Sequence, residues 1–99
     1  MADDGPVTEE HEIARDVVVH GLVQGVFFRS TCLDQAVKVG VRGWARNEYD
    51  GTVAAHFEGP PEAVEKLVEF CRTGPRHAVV QRVDVSDSTP EGHARFEVR

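Results

Sequence analysis

The chain has 99 residues, 40% hydrophobic and 28% charged, with a formal net charge of -6. That length holds one domain around a single core. No apolar run reaches the length of a signal or transmembrane helix, and Ala2 rather than glycine follows Met1. The expected setting is therefore cytoplasmic and away from any membrane.

The net charge is unevenly spread. Asp3, Asp4, Glu9, Glu10 and Glu12 precede the first strand-like stretch, among Gly5, Pro6 and almost no apolar residues. Residues 1–14 are expected to form a disordered acidic tail, and 15–99 the folded domain. From Arg15 onward the charges nearly cancel, so no basic field draws nucleic acid or an anionic membrane.

Arg15 to His20 alternates as a strand, with Val17 and Val19 on one face and Val18 on the other. It runs into His20-Gly-Leu-Val-Gln-Gly-Val-Phe-Phe-Arg29, where Gly21 and Gly25 permit positive φ and close approach of backbone to a ligand. Phe28, Cys32, Leu33, Ala36 and Val37 then recur at helical spacing, and Gly40 ends the helix. A strand, a glycine-bearing turn and a helix start gather backbone N–H groups around a concavity suited to an anion. Arg29 sharpens this, because a cation at a helix N-terminus is unfavourable unless something negative lies against it. An arginine pointing to solvent or paired with Asp34 is the alternative.

Val41 to Arg46 is extended, and Glu48-Tyr49-Asp50-Gly51 is a hairpin turn. The next strand places Val53, Ala55 and Phe57 on one face and Thr52, Ala54, His56 and Glu58 on the other. Gly59-Pro60-Pro61 opens a second helix with Val64, Leu67, Val68 and Cys71 as its apolar face, closed by Gly74-Pro75. Val79, Val83 and Val85 alternate along a strand, Asp87 to Gly92 forms a polar turn, and Phe96 with Val98 makes a short last strand. The order βαββαβ, with that added strand, predicts an α+β ferredoxin-like sandwich: an antiparallel sheet with both helices on one face. Many unrelated activities share this fold.

Cys32 and Cys71 each fall on the apolar stripe of a predicted helix, which favours buried free thiols; a disulfide stays open if those helices pack side by side. Asn47, the sole asparagine, ends a strand, where a turn role accounts for it and a water-orienting carboxamide is the functional option. His11, His20, His56, His77 and His93 show no ligand spacing, so no metal site is expected. His20 receives no catalytic role. No P-loop lysine, phosphatase cysteine motif or serine elbow is present. Phe27, Phe28 and Trp44 are assigned to packing, with a substrate mouth as the alternative. Arg46 is expected to face solvent.

Gly21 to Arg29 resembles the first signature of the acylphosphatases. Gly43-Trp-Ala-Arg-Asn47, with Asp50-Gly51-Thr-Val53 and Gly59, resembles the second. The similarity runs from about Arg15 to Arg99 in the same element order, leaving out only the acidic N-terminal stretch. It implies a hydrolase that cleaves the carboxyl–phosphate bond of small acyl phosphates, without cofactor or metal. Arg29 and the backbone N–H groups of Leu22, Val23, Gln24, Gly25 and Val26 would hold the phosphoryl group, and Asn47 the attacking water. For Gln24 the backbone amide, not the side chain, is the expected contact. Inorganic phosphate would be product and competitive inhibitor, and the protein a monomer. Against this stand a non-catalytic phosphate-binding module on the same fold and an RNA-binding domain. The latter lacks its stacking aromatics and basic surround.

Overall fold

The computed structural model describes residues 11–99. Seven elements follow in order: β1 (Ile13–Leu22), α1 (Phe28–Val39), β2 (Arg42–Asn47), β3 (Val53–Gly59), α2 (Pro61–Thr73), β4 (Val79–Ser88) and β5 (Phe96–Val98). The strands form one sheet in the order β4-β1-β3-β2-β5. The predicted ferredoxin-like sandwich is the observed one, with a refinement at its edge. β5 pairs in parallel with β2, so the sheet is mixed rather than purely antiparallel.

β1 begins at Ile13, two residues before the expected domain boundary. Ala14 is fully buried opposite Glu58 and Ser88, and Glu12 is ion-paired with Arg42. The acidic-tail expectation for residues 1–10 lies outside the described residues.

α2 packs on β1 and β4, α1 packs on β2 and β5, and the two helices touch. Between helices and sheet lie Val17, Val19, Val53 and Phe57 from the strands, with Cys32 and Leu67 from the helices. Val37 departs from the expected stripe: it is 70% exposed, because it lies about half a turn around α1 from Phe28. α1 ends as expected, with Gly40 in the left-handed region and its N–H donating to Ala36 O at 2.8 Å. Cys32 and Cys71 are buried free thiols. Their contact, then burial, pushes the Cys71 thiol well up from its ordinary value.

Between His20 and Gly21 the β1–β4 register shifts: His20 faces Arg82, and Gly21 faces Val80. This bulge moves the inward position from Val79 to Val80, leaving Val79 52% exposed instead of continuing the expected alternation. Gly21 is required there, since a Cβ would stand 2.1 Å from Val79 O. The bulge also aims the chain off the sheet and into the loop.

The outward face of β3 differs more. His56 and Glu58, on the face opposite Val53, Ala55 and Phe57, are fully buried as well. Glu58 accepts hydrogen bonds from the backbone N–H groups of Glu91, Gly92 and His93 at 2.6, 3.0 and 2.8 Å, drawing that segment across the sheet. His56 is held between Asp16 (2.7 Å) and Glu58 (2.8 Å), and its ring stacks with Trp44.

Candidate active site

The loop from Val23 to Phe27 joins the central strand β1 to α1. Val23 is buried and Val26 partly so, which anchors the loop while its backbone stays at the surface. Gly25 has φ 76° with open space where a Cβ would point, so conformation rather than crowding calls for glycine. Phe27 has φ 66° and ψ 25° at the N-cap of α1, and its side chain caps nothing. Among the described residues, no acceptor pairs with the backbone N–H groups of Val23, Gln24, Gly25 or Val26. Unpaired amides beside a helix N-terminus are what an anion site requires.

Arg29 lies in the first turn of α1. Its Nη1 donates to the main-chain oxygen of Arg99 at 2.7 Å, which tethers the guanidinium beside the loop. Asn47 closes β2 opposite Val53. The turn that follows is built without it. Asp50 Oδ1 accepts from Thr52 N (3.0 Å) and Thr52 Oγ1 (2.6 Å), and Gly51 N donates to Glu48 O (3.1 Å). Those Thr52 contacts hold the Asp50 carboxyl below its ordinary value. The turn role thus belongs to Asp50, and the Asn47 carboxamide has no partner among the described residues.

Arg29 and Asn47, far apart in sequence, line one cavity of about 320 Å³ with Val23, Gly25, Phe27, Phe28, Ser30 and Val98. Leu22 lies apart from it, 68% exposed, beside a second cleft of about 280 Å³ that includes His20 and Asp50. Gln24 does more than expected. Its side-chain Nε2 donates to Glu48 O (2.7 Å) and Thr52 O (2.9 Å), bracing the loop to the hairpin that follows Asn47.

The remaining candidates separate cleanly. Phe28 is buried against Phe70, and Trp44 stacks with the His56 ring and is met by the guanidinium groups of Arg46 and Arg99, so both are packing residues. Phe27 is not: it is 77% exposed at the cavity. Arg46 pairs with Glu48 at 2.5 Å, away from the cavity. His20 joins Asp84 (2.9 Å) and Arg82 (3.1 Å) on the sheet edge, where Arg82 and then His20 hold the Asp84 carboxyl low.

Sequence spacing missed that His56, Glu58 and His93 bring metal-ligand atoms within 4.8 Å of one another. Those atoms are already engaged. The Glu58 oxygens serve three amides and His56, and His93 Nε2 meets Glu91 at 2.7 Å. No helix among the described residues is long and apolar enough to cross a membrane.

The molecule is a ferredoxin-like α+β sandwich with an arginine and free loop amides around one cavity. Comparison with known proteins makes the assignment specific. The acylphosphatase family model matches residues 15–98. An acylphosphatase from Nocardioides sp. is 52% identical over 97 residues, covering 98% of this chain and 94% of that one. The structure of an acylphosphatase from Coxiella burnetii superposes with a TM-score of 0.87 at 33% identity, covering 93% and 97% of the two chains. That from Bacillus subtilis gives 0.84 at 35% identity, covering 88% and 98%. The chain belongs to the acylphosphatase family.

Proposed function

We propose that this chain hydrolyses acyl phosphates to a carboxylate and inorganic phosphate, with Arg29 and the loop amides holding the phosphoryl group and Asn47 holding the water. The observation that carries this is the placement of Arg29 and Asn47 on one cavity beside unpaired loop amides. The cavity lining holds one cation and one carboxamide, and no carboxylate, thiol or imidazole suited to a divalent ion.

The residues match what the reaction demands. The phosphoryl oxygens carry negative charge that repels a nucleophile; the guanidinium, the loop N–H groups and the start of α1 offset it. Asn47 both donates and accepts hydrogen bonds, so it can fix a water in line with the bond to be cleaved. The water oxygen bonds to phosphorus as the P–O bond to the acyl group breaks, and the electron pair leaves on the carboxylate. A carboxylic acid has a pKa of roughly 4 to 5, so the leaving group needs no proton donor. A carboxamide is not a base, and the water's proton passes to a phosphoryl oxygen.

The cavity is complete within one chain, which supports a monomer, and free Cys32 and Cys71 fit a reducing, cytoplasmic setting. Inorganic phosphate occupies the same groups as the substrate and so competes with it.

The test is hydrolysis of benzoyl phosphate in EDTA by wild type, Arg29→Ala and Asn47→Ala. Arg29→Ala is expected to lower kcat/KM by about 10³-fold or more and to weaken phosphate inhibition. Asn47→Ala is expected to lower kcat by about 10²-fold with phosphate inhibition retained. Folded wild type that binds phosphate without turnover would make the chain a binding module instead.

A further inference from the structure

Phe27 breaks three local rules at once. It is the one non-glycine residue with positive φ among the described residues, in a region that glycine or asparagine occupies at lower cost. It stands at a helix N-cap, where Ser, Thr, Asp or Asn would hydrogen-bond the first turn, and makes no such bond. Its ring is 77% exposed although the neighbouring Phe28 is buried in the core. Rule-breaking of this kind concentrates at working sites.

Packing does not account for the side chain. Phe27 joins none of the ring pairs made by Phe28, Phe57, Phe70 and Phe96. What holds the local backbone is its carbonyl, which accepts from Thr31 N (3.0 Å), Thr31 Oγ1 (2.7 Å) and Ser30 Oγ (3.2 Å). Any side chain at this position keeps those bonds. The ring lines the cavity of Arg29 and Asn47 together with Val98, which is 42% exposed.

From this we propose that Phe27, with Val98, forms an apolar shelf that receives the hydrocarbon part of the acyl group and selects aromatic and bulky acyl phosphates over acetyl phosphate. The inference rests on the hydrolysis proposed above. With the phosphoryl group against Arg29 and the loop amides, the acyl substituent projects to the rim of the same cavity. Phe27 and Val98 offer exposed apolar surface there, and an aromatic acyl group can pack on the ring. The strained, exposed phenylalanine is then retained for recognition, at a cost in stability.

The experiment compares acetyl phosphate with benzoyl phosphate for wild type, Phe27→Asn and Phe27→Leu, alongside thermal unfolding. Wild type is expected to prefer benzoyl phosphate by about tenfold or more in kcat/KM, as contact with an apolar group allows. Phe27→Asn should lose about tenfold on benzoyl phosphate, mainly through KM, and stay within about twofold on acetyl phosphate. Its Tm should equal or exceed wild type, since asparagine tolerates the backbone conformation. Phe27→Leu should keep most of the benzoyl preference. An equal loss on both substrates would make Phe27 a support of the phosphate loop and overturn the shelf; an unchanged ratio would do so too. Folded wild type inactive on both substrates would overturn the hydrolysis itself, and the shelf with it.

Discussion

The two ends of the β2–β3 ladder put polar side chains to opposite uses. At one end Asn47 pairs with Val53, and its carboxamide, the loop amides and the exposed Phe27 are left unengaged around a cavity. At the other, Arg42 pairs with Glu58 in a cluster where Asp16, His56, Glu58, Glu91 and the 91–93 amides satisfy one another. The Arg42 Nε is the single buried side-chain polar atom left without a partner among the described residues. The second end has more ionisable groups and looks richer in chemistry. Yet groups already paired have nothing to offer a ligand, and the sparse end is the better site.

Breaking the paired end should cost stability and leave turnover alone. Removing the Glu58 carboxylate strands His56 Nε2 and three backbone N–H groups, and leaves Arg42 with Glu12 as its remaining carboxylate. Glu58→Ala is therefore expected to destabilise by about 3 kcal/mol in denaturant unfolding. Its kcat on benzoyl phosphate, measured where the variant is folded, should stay near wild type. A loss in kcat as large as that of Asn47→Ala would erase the distinction between the two ends.

A smaller, opposite effect is expected at the brace. Gln24→Ala removes two hydrogen bonds to carbonyls of the hairpin, so it should cost about 1 kcal/mol of stability. With the loop and the Asn47 hairpin no longer tied together, kcat should fall about tenfold. A stability loss with kcat unchanged would make Gln24 a structural residue only.

The smallest effect is the pH dependence of folding. Burial would raise the Glu58 pKa, but the Glu91 amide, the His56 ring and the His93 and Gly92 amides outweigh it and hold the carboxyl at about 2. Its contribution is complete above the unfolded value of about 4.3 and is lost as pH falls through about 2. Burial alone would lower His56; its bonds to Glu58 and Asp16, with the charges of Glu91 and Asp16, hold it above its ordinary value. That contribution is complete below about 6.5 and is lost as pH rises through the folded pKa. Unfolding free energy measured across pH should fall on both sides, and His56→Gln should flatten the alkaline side and, by removing the imidazole from Glu58, soften the acid side to a lesser extent. An alkaline limb unchanged in that variant would remove His56 from the account.

The site end was legible because its signals are local. Glycine at positions needing positive φ, an arginine at a helix start and a strand-ending asparagine can all be seen within a few residues. The paired end was hidden because its signal is remote. His56 and Glu58 alternate like residues of a wet strand face, and it takes the 91–93 segment, distant in the chain, together with Trp44 of the next strand to enclose them. The β4 bulge escaped for the same reason, since a register shift belongs to two strands and neither sequence carries it alone. Phe27 was visible but misfiled with Phe28, because adjacency in sequence does not reveal that one ring turns inward and the next does not.

The sheet order has a consequence for how the chain is made. β1 is synthesised first but lies inside the sheet, its Val17 opposite Ala55 of β3 and Val85 of β4. Neither neighbour exists while β1 leaves the ribosome, and the loop from Val23 to Phe27 cannot be braced to the hairpin before β3 has arrived. Folding must therefore wait on distant segments and be governed by loop closure instead of helix formation, which slows it relative to a helical bundle of the same size. Through that interval β1 presents two unpaired edges, the state in which a nascent chain is most open to pairing with another copy of itself.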